Sequence, residues 1–163
     1  MVEQTEDMDK LCETLDKLTL DALLLLQEEI EMKLNIENAM CEGESHLIKS
    51  RYILGVNQVS SLQLPTENSE EFSSCFKVNG SETILGRKIF DLYEIKKSDD
   101  NNVVEPLWWF GRLSPQYLVF AQKMFRQALQ WTVKAANVQN RLQDVLQGIS
   151  VLKEVKHKMT LKE

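Results

Sequence analysis

Residues 114–152 read SPQYLVFAQKMFRQALQWTVKAANVQNRLQDVLQGISVL, and their periodicity decides the fold. Tyr117, Ala121, Met124, Ala128, Trp131, Ala135, Val138, Leu142, Val145, Ile149 and Leu152 follow one another at steps of four or three. An α-helix turns once in 3.6 residues, so this spacing lines the side chains along one face, the a/d seam of a coiled coil. Ser114 and Pro115 predict where the helix starts. Serine caps free N–H groups, and proline at the first helical position has no N–H to waste. No proline interrupts the run, and Gly148 is its only glycine.

Just upstream, residues 105–115 read Glu-Pro-Leu-Trp-Trp-Phe-Gly-Arg-Leu-Ser-Pro and hold two of the three tryptophans. Aromatic side chains carry large apolar areas that must be buried in this chain or in a partner. Trp108, Trp109 and Phe110 are expected to close the end of the helical seam by packing on the segment before them; a ligand pocket is the alternative. Gly111 lets the chain turn between the aromatic knot and the helix. Trp108 and Trp109 are adjacent and point in different directions, which leaves one of them for a partner.

The first half of the chain repeats the pattern. Met8, Leu11, Leu15, Leu18, Ala22 and Leu25 step by three and four, the charged Glu29 takes the next position, and Met32, Ile36 and Ala39 resume. Thr5 is expected to cap the start, with Glu6, Asp7 and Asp9 at the positive end of the dipole. Gly43 is a weak point, Leu47, Ile48 and Ile53 restore helical character, and Gly55 suits the end. The reading is a long helix over 6–55, an insert over 56–105, and the aromatic box with a second long helix over 106–160. Each helix would reach roughly 65–75 Å at about 1.5 Å per residue. Two helices of matched length fold back on each other. The expected fold is therefore mainly α: an antiparallel hairpin of two long coiled-coil helices with a small β-hairpin-containing insert between them, one elongated domain over 1–163.

Within the insert, Ser60-Ser61 and the stretch from Pro65 to Glu71 read as polar loop. Glu71–Val78 and Arg87–Ile95 have the Phe, Val, Ile and Tyr density of strands. Asn79-Gly80 is the expected turn between them, and Ser98 to Asn102 is a short linker. Asn79-Gly80-Ser81 also matches a glycosylation sequon and is read as turn alone.

Composition removes whole classes of function. A net charge of −6 lacks the clustered cations that nucleic acid requires. Cys12, Cys41 and Cys75 form no Cys-x-x-Cys and are read as reduced thiols. The acidic start of the chain is not the reading of a signal peptide. The apolar run Ala22 to Leu26 is too short to span a bilayer, so any membrane location would be indirect, through a partner. No phosphate loop, dinucleotide fingerprint, metalloprotease motif or nucleophile elbow is present, so no catalytic residue, cofactor or metal is expected. His46 and His157 fall at opposite ends of the hairpin and are read as solvent-facing. Glu28, Glu29 and Glu31 are read as a solvated stripe. Lys153, Lys156, Lys158 and Lys162 complement the negative end of the second helix, with weak lipid contact as the alternative.

Leu23, Leu24, Leu25 and Leu26 point around most of a helix circumference, whereas a two-helix seam buries only about two positions in seven. The surplus requires a third element to cover it, a helical partner or a second copy, or else stays in water.

Three stretches carry a family resemblance. The first is Glu42-Gly43 with Leu47, Lys49, Arg51-Tyr52 and Gly55. The second is Pro106-Leu107 with Trp109-Phe110-Gly111, Leu113 and Pro115. The third is Ala121-Gln122, Phe125-Arg126, Leu129-Gln130 and Gln139-Asn140-Arg141. On these the chain resembles the coiled-coil assembly factors of the vacuolar-type proton ATPase, although the insert from about Pro65 to Asn102 matches poorly. The resemblance implies a non-catalytic chaperone, peripheral on the cytosolic face of the endoplasmic reticulum and on the vesicles that leave it. It would pair with a membrane-anchored assembly factor and engage membrane-sector subunits of the pump. Leu23, Leu24, Leu26, Ile30, Arg51, Tyr52, Trp108, Trp109 and Phe110 are the expected partner-binding residues. A prefoldin-like or generic coiled-coil scaffold has the same helix–hairpin–helix layout and is the alternative.

Overall fold

A computed structural model describes residues 2–83, 86–95 and 102–161, with side chains from Asp7 onward. The protein is mainly helical. A first long helix, α1 (Val2–Leu54), is followed by a two-stranded sheet of β1 (Phe76–Glu82) and β2 (Lys88–Glu94). A 3₁₀ turn over Pro106–Phe110 then leads into the second long helix, α2 (Gln116–Thr160). The two helices pack antiparallel. Gly43 of α1 lies against Phe125 of α2, and Glu28 faces Arg141.

Burial follows the three-and-four spacing. Leu15, Ala22 and Leu25 meet Val138, Leu142 and Ile149 in the core, with Leu11, Leu18, Val145 and Leu152 packed at its edges. Glu29 holds the seam position its spacing assigns and is buried rather than part of a solvated stripe. Its carboxylate accepts from Lys33 at 2.7 Å, which compensates the charge one helical turn away. At the head of the hairpin Leu118, not Tyr117, is the buried residue: Leu118 is 3% exposed and Tyr117 38%. Leu118 turns toward Leu107 and Phe110, so the aromatic box draws the first turn of α2 toward itself.

The helix ends depart from expectation in small, explicable ways. α1 already runs from Val2, so Thr5 lies inside it and is not its cap; the side chains of Thr5 and Glu6 lie outside those described. Glutamate and glutamine in this stretch are good helix formers and carry the helix back past Thr5. Pro115 is the N-cap of α2 and not its first helical residue. Its ψ of 152° is extended, and its carbonyl accepts from the Leu118 and Val119 N–H groups, so Ser114 makes no capping bond. Gly43 does not interrupt α1. Gly55 ends it with a φ of 91°, a left-handed conformation that suits glycine, and donates its N–H to the Arg51 carbonyl.

The insert departs furthest from the expected layout. Asn79-Gly80 is not a turn but the middle of β1, where Asn79 pairs with Asp91 and Gly80 with Phe90. The missing side chain of Gly80 leaves room that the Phe90 ring covers across the strand pair. β1 begins at Phe76, later than Glu71. The strands are joined instead beyond Thr83, whose N–H donates to the Arg87 carbonyl, with Gly86 at φ 75°. Ile84, Leu85 and most of the linker from Ser98 lie outside the described residues, as does Lys162.

Candidate interaction surfaces

Each residue of a helix advances about 100°, so four consecutive leucines cannot share one fate. Leu25 enters the core, while Leu23, Leu24 and Leu26 stay 59%, 57% and 44% exposed. Leu24 turns to the flank where the hairpin tip lies, beside Arg87, Arg141 and Val145. Leu23 and Leu26 instead join Leu20, Ile30 and Leu34 in a second stripe stepping by three, three, four and four, all of it exposed. The protein thus buries one seam of α1 and leaves a second apolar stripe uncovered.

The other expected partner residues sit elsewhere. Arg51 lies some twenty residues beyond Ile30, roughly 30 Å further along the helix. Arg51 and Phe110 line one apolar hollow of about 290 Å³ with Ile48 and Leu64. Phe110, with Leu47, also walls a second hollow of about 340 Å³, closed by Phe76, Leu107, Phe125 and Leu129. Trp109 meets Phe72 edge-on at 5.2 Å, which ties the box to the insert. Trp108 is the exposed member of the pair, at 60%, and Tyr52 is 90% exposed. The nine expected residues therefore divide into an outward stripe on α1, with Leu24 apart from it, and a head where Phe110 separates two hollows.

The polar contacts that hold the head together escaped sequence reasoning. Arg126 of α2 donates to both Glu105 carboxylate oxygens, at 2.9 and 3.0 Å, and lies 3.7 Å from Glu94. Its guanidinium sits over the Phe76 ring at 5.5 Å, and Gln122 also donates to Glu105. One arginine so joins the helix, the strand pair and the entry to the aromatic box. Beside it the Cys75 thiol donates to the Val104 carbonyl at 3.2 Å. Burial pushes this thiol above its ordinary value, Glu105 and Glu94 add to the effect, and Arg126 opposes it.

Further along α2, the Asn137 carboxamide accepts from the Phe90 N–H and donates to the Phe90 carbonyl, both at 2.8 Å, while Asn140 donates to the Lys88 carbonyl. Asn137 gives β2 the two bonds a third strand would give. Arg87 reaches Asp144 at 2.5 Å from the hairpin tip. Asn137 and Asn140 are one helical turn apart, a spacing that could have flagged them. His46 corrects its expectation: it is half-buried against Tyr117 and Phe120, with centroids at 5.9 and 5.6 Å, because its helical position falls on the seam. His157 is exposed at the other end.

Among the described residues no group of His, Cys, Asp and Glu could hold a metal ion, and no helix is long and apolar enough to cross a membrane. Fold and surfaces together define a helical hairpin with apolar faces left uncovered. No family model matches the sequence. The chain is 32% identical over 150 residues to the vacuolar ATPase assembly protein VMA22 of Homo sapiens, covering 78% of this chain and 83% of that protein. It is 25% identical over 188 residues to the protein of the same name from Danio rerio, covering 87% and 91%. The chain belongs to the VMA22 family of vacuolar ATPase assembly proteins.

Proposed function

We propose that the protein is a non-catalytic assembly factor for the vacuolar-type proton ATPase. It pairs with a membrane-anchored assembly factor on the cytosolic face of the endoplasmic reticulum and helps to build the membrane sector of the pump, which supports acidification of organelles. The names of its relatives support the assembly role. The uncovered stripe on α1 is the observation that carries the pairing: a contiguous apolar helix face of this length is rare on a monomer and marks an interaction site. The two long helices act as a coiled-coil scaffold. The stripe takes the anchored partner, and the head, with Arg51, Tyr52, Trp108 and Phe110, is left for the client subunit. The edge of β2 is already taken by Asn137 and Asn140, which disfavours assembly into a prefoldin-like body through that strand.

The test is a pull-down of the tagged chain from detergent-solubilised endoplasmic reticulum, read by mass spectrometry. Recovery of a multi-span assembly factor and of pump membrane-sector subunits is the expected result. Recovery of neither, with the bait folded by circular dichroism, refutes the reading.

A further inference from the structure

The outward stripe of α1 also carries information about what covers it. Between Lys17 and Lys33 the chain contains no basic residue. Of the carboxylates in that interval Glu29 is buried in the seam, Asp21 and Glu28 lie on the flank with Arg87 and Arg141, and Glu31 borders the stripe. The two bounding lysines are already engaged: Lys17 with Glu13 and Lys33 with Glu29, each at 2.7 Å. Asp16 precedes Leu20 by four positions and Glu37 follows Leu34 by three, so carboxylates extend the line of the stripe at both ends. Asp16 and Glu37 are exposed, and neither forms an ion pair among the described residues. Glu31, beside Ile30, accepts only from the neutral Gln27 amide, at 3.1 Å. The result is an apolar line about 21 Å long, three to four helical turns, with negative charge at its ends and edge and, among the described residues, no bordering cation outside an ion pair.

We propose that this face docks an amphipathic α-helix of another polypeptide, one whose Leu or Ile stripe is bracketed by Lys or Arg. The inference rests on the reading of the stripe as a partner face and adds the partner's chemistry. In a helix pair the apolar positions supply adhesion, while the flanking charges choose the partner and its register. A second copy of this chain would set the same carboxylates against each other, which disfavours it. An anionic lipid surface is repelled for the same reason.

Three synthetic helical peptides of about 18 residues test the proposal. One has leucines at a and d with lysines beside them, one has the same leucines with glutamates, and one is a scramble of the lysine peptide. Each is titrated into the full chain and followed by fluorescence anisotropy, at about 50 and about 500 mM NaCl. The lysine peptide should bind at least about tenfold tighter than either control at low salt, and the gap should shrink at high salt. Leu23→Asp with Ile30→Asp should remove this binding with helicity retained. Asp16→Lys with Glu37→Lys alters only exposed positions and should shift preference toward the glutamate peptide.

Equal binding of the lysine peptide and its scramble, or no response to the charge reversal, overturns the proposal. Dimerisation seen by light scattering and abolished by Leu23→Asp with Ile30→Asp overturns it in favour of a second copy. Binding to phosphatidylserine vesicles lost on the same change overturns it in favour of a membrane. Selective peptide binding with an empty pull-down would leave this surface chemistry standing and sink the assembly role; the reverse would sink the surface chemistry alone.

Discussion

Substituting Gly43 by alanine opposes two effects whose sizes are known. Alanine is favoured over glycine inside a helix by about 1 kcal/mol. A Cβ built on Gly43, however, lies 2.7 Å from Cε1 of Phe125 and 3.0 Å from Cδ1 and Cζ. Carbon atoms rest at about 3.5–4.0 Å, so the ring or the helices must give by about 1 Å. Overpacking of this kind costs about 1–3 kcal/mol. The Phe125 ring also borders the larger hollow and relieves part of the clash by shifting into it, at the expense of its contact with α1. The net expectation is a loss of about 1 kcal/mol, a Tm lower by about 2–4 °C for a chain of this size. Gly148 is the internal control: it lies within α2, and a Cβ there meets nothing within 4 Å. Gly148→Ala should raise Tm by a similar amount. Thermal and urea unfolding followed by circular dichroism measures both variants, and Phe125→Leu completes a double-mutant cycle with Gly43→Ala. Removing the ring should relieve the clash, with a coupling of about 1 kcal/mol. If Gly43→Ala stabilises as much as Gly148→Ala, or the cycle is additive, the close-approach argument is refuted.

Three further outcomes test the head and the hairpin. Arg126→Met breaks the bidentate pair with Glu105, which is partly exposed to water; urea unfolding should show a loss of about 1–2 kcal/mol, and Cys75 should react more slowly with a thiol reagent because the cation that opposes its raised pKa is gone. Asn137→Ala strands the Phe90 N–H and carbonyl, for a loss of about 1–3 kcal/mol and visibly faster hydrogen exchange at Phe90 while the seam residues of α2 keep their protection. A Cys75 thiol raised in the folded chain contributes stability that is fully present below the ordinary value of 9.0 and is lost as pH rises through the folded value; wild type should therefore lose ground to Cys75→Ala in urea unfolding between pH 8 and pH 10.5, and a constant difference would contradict the assignment.

What could be read from the sequence was what repeats. The seams of α1 and α2 show in their spacing because burial there depends on helical angle alone, and even Glu29 took the position its spacing assigned. The surplus leucines were legible for the same reason. Asn79-Gly80 misled because a turn dipeptide is only a local preference, whereas the register set by Phe90 over Gly80 is a tertiary fact. Arg126, Glu105 and Asn137 were invisible as a set. Nothing periodic links a helix to a loop or strand tens of residues away, and a polar side chain on a half-exposed helix face reads as solvated until its partner is placed. His46 is a similar case: its position continues the α1 seam past Gly43, a glycine that on helix propensity alone reads as a break.

The polar contacts of α2 also impose an order on how the chain comes together. Arg126 meets Glu105 across 21 residues, Asn137 meets Phe90 across 47, and Arg87 meets Asp144 across 57. The shortest loops, which cost least to close, thus bring the box and then the strand pair onto α2. α1 must close the longest ones, and its described contacts with α2 are the Glu28–Arg141 pair at 4.0 Å, apolar packing and ring contacts. By loop closure alone the second helix and its insert are the cheaper unit to assemble, and α1, which carries the uncovered stripe, joins them across the longest separations. A partner that seats on the stripe only when α1 is helical therefore also stabilises that helix by mass action.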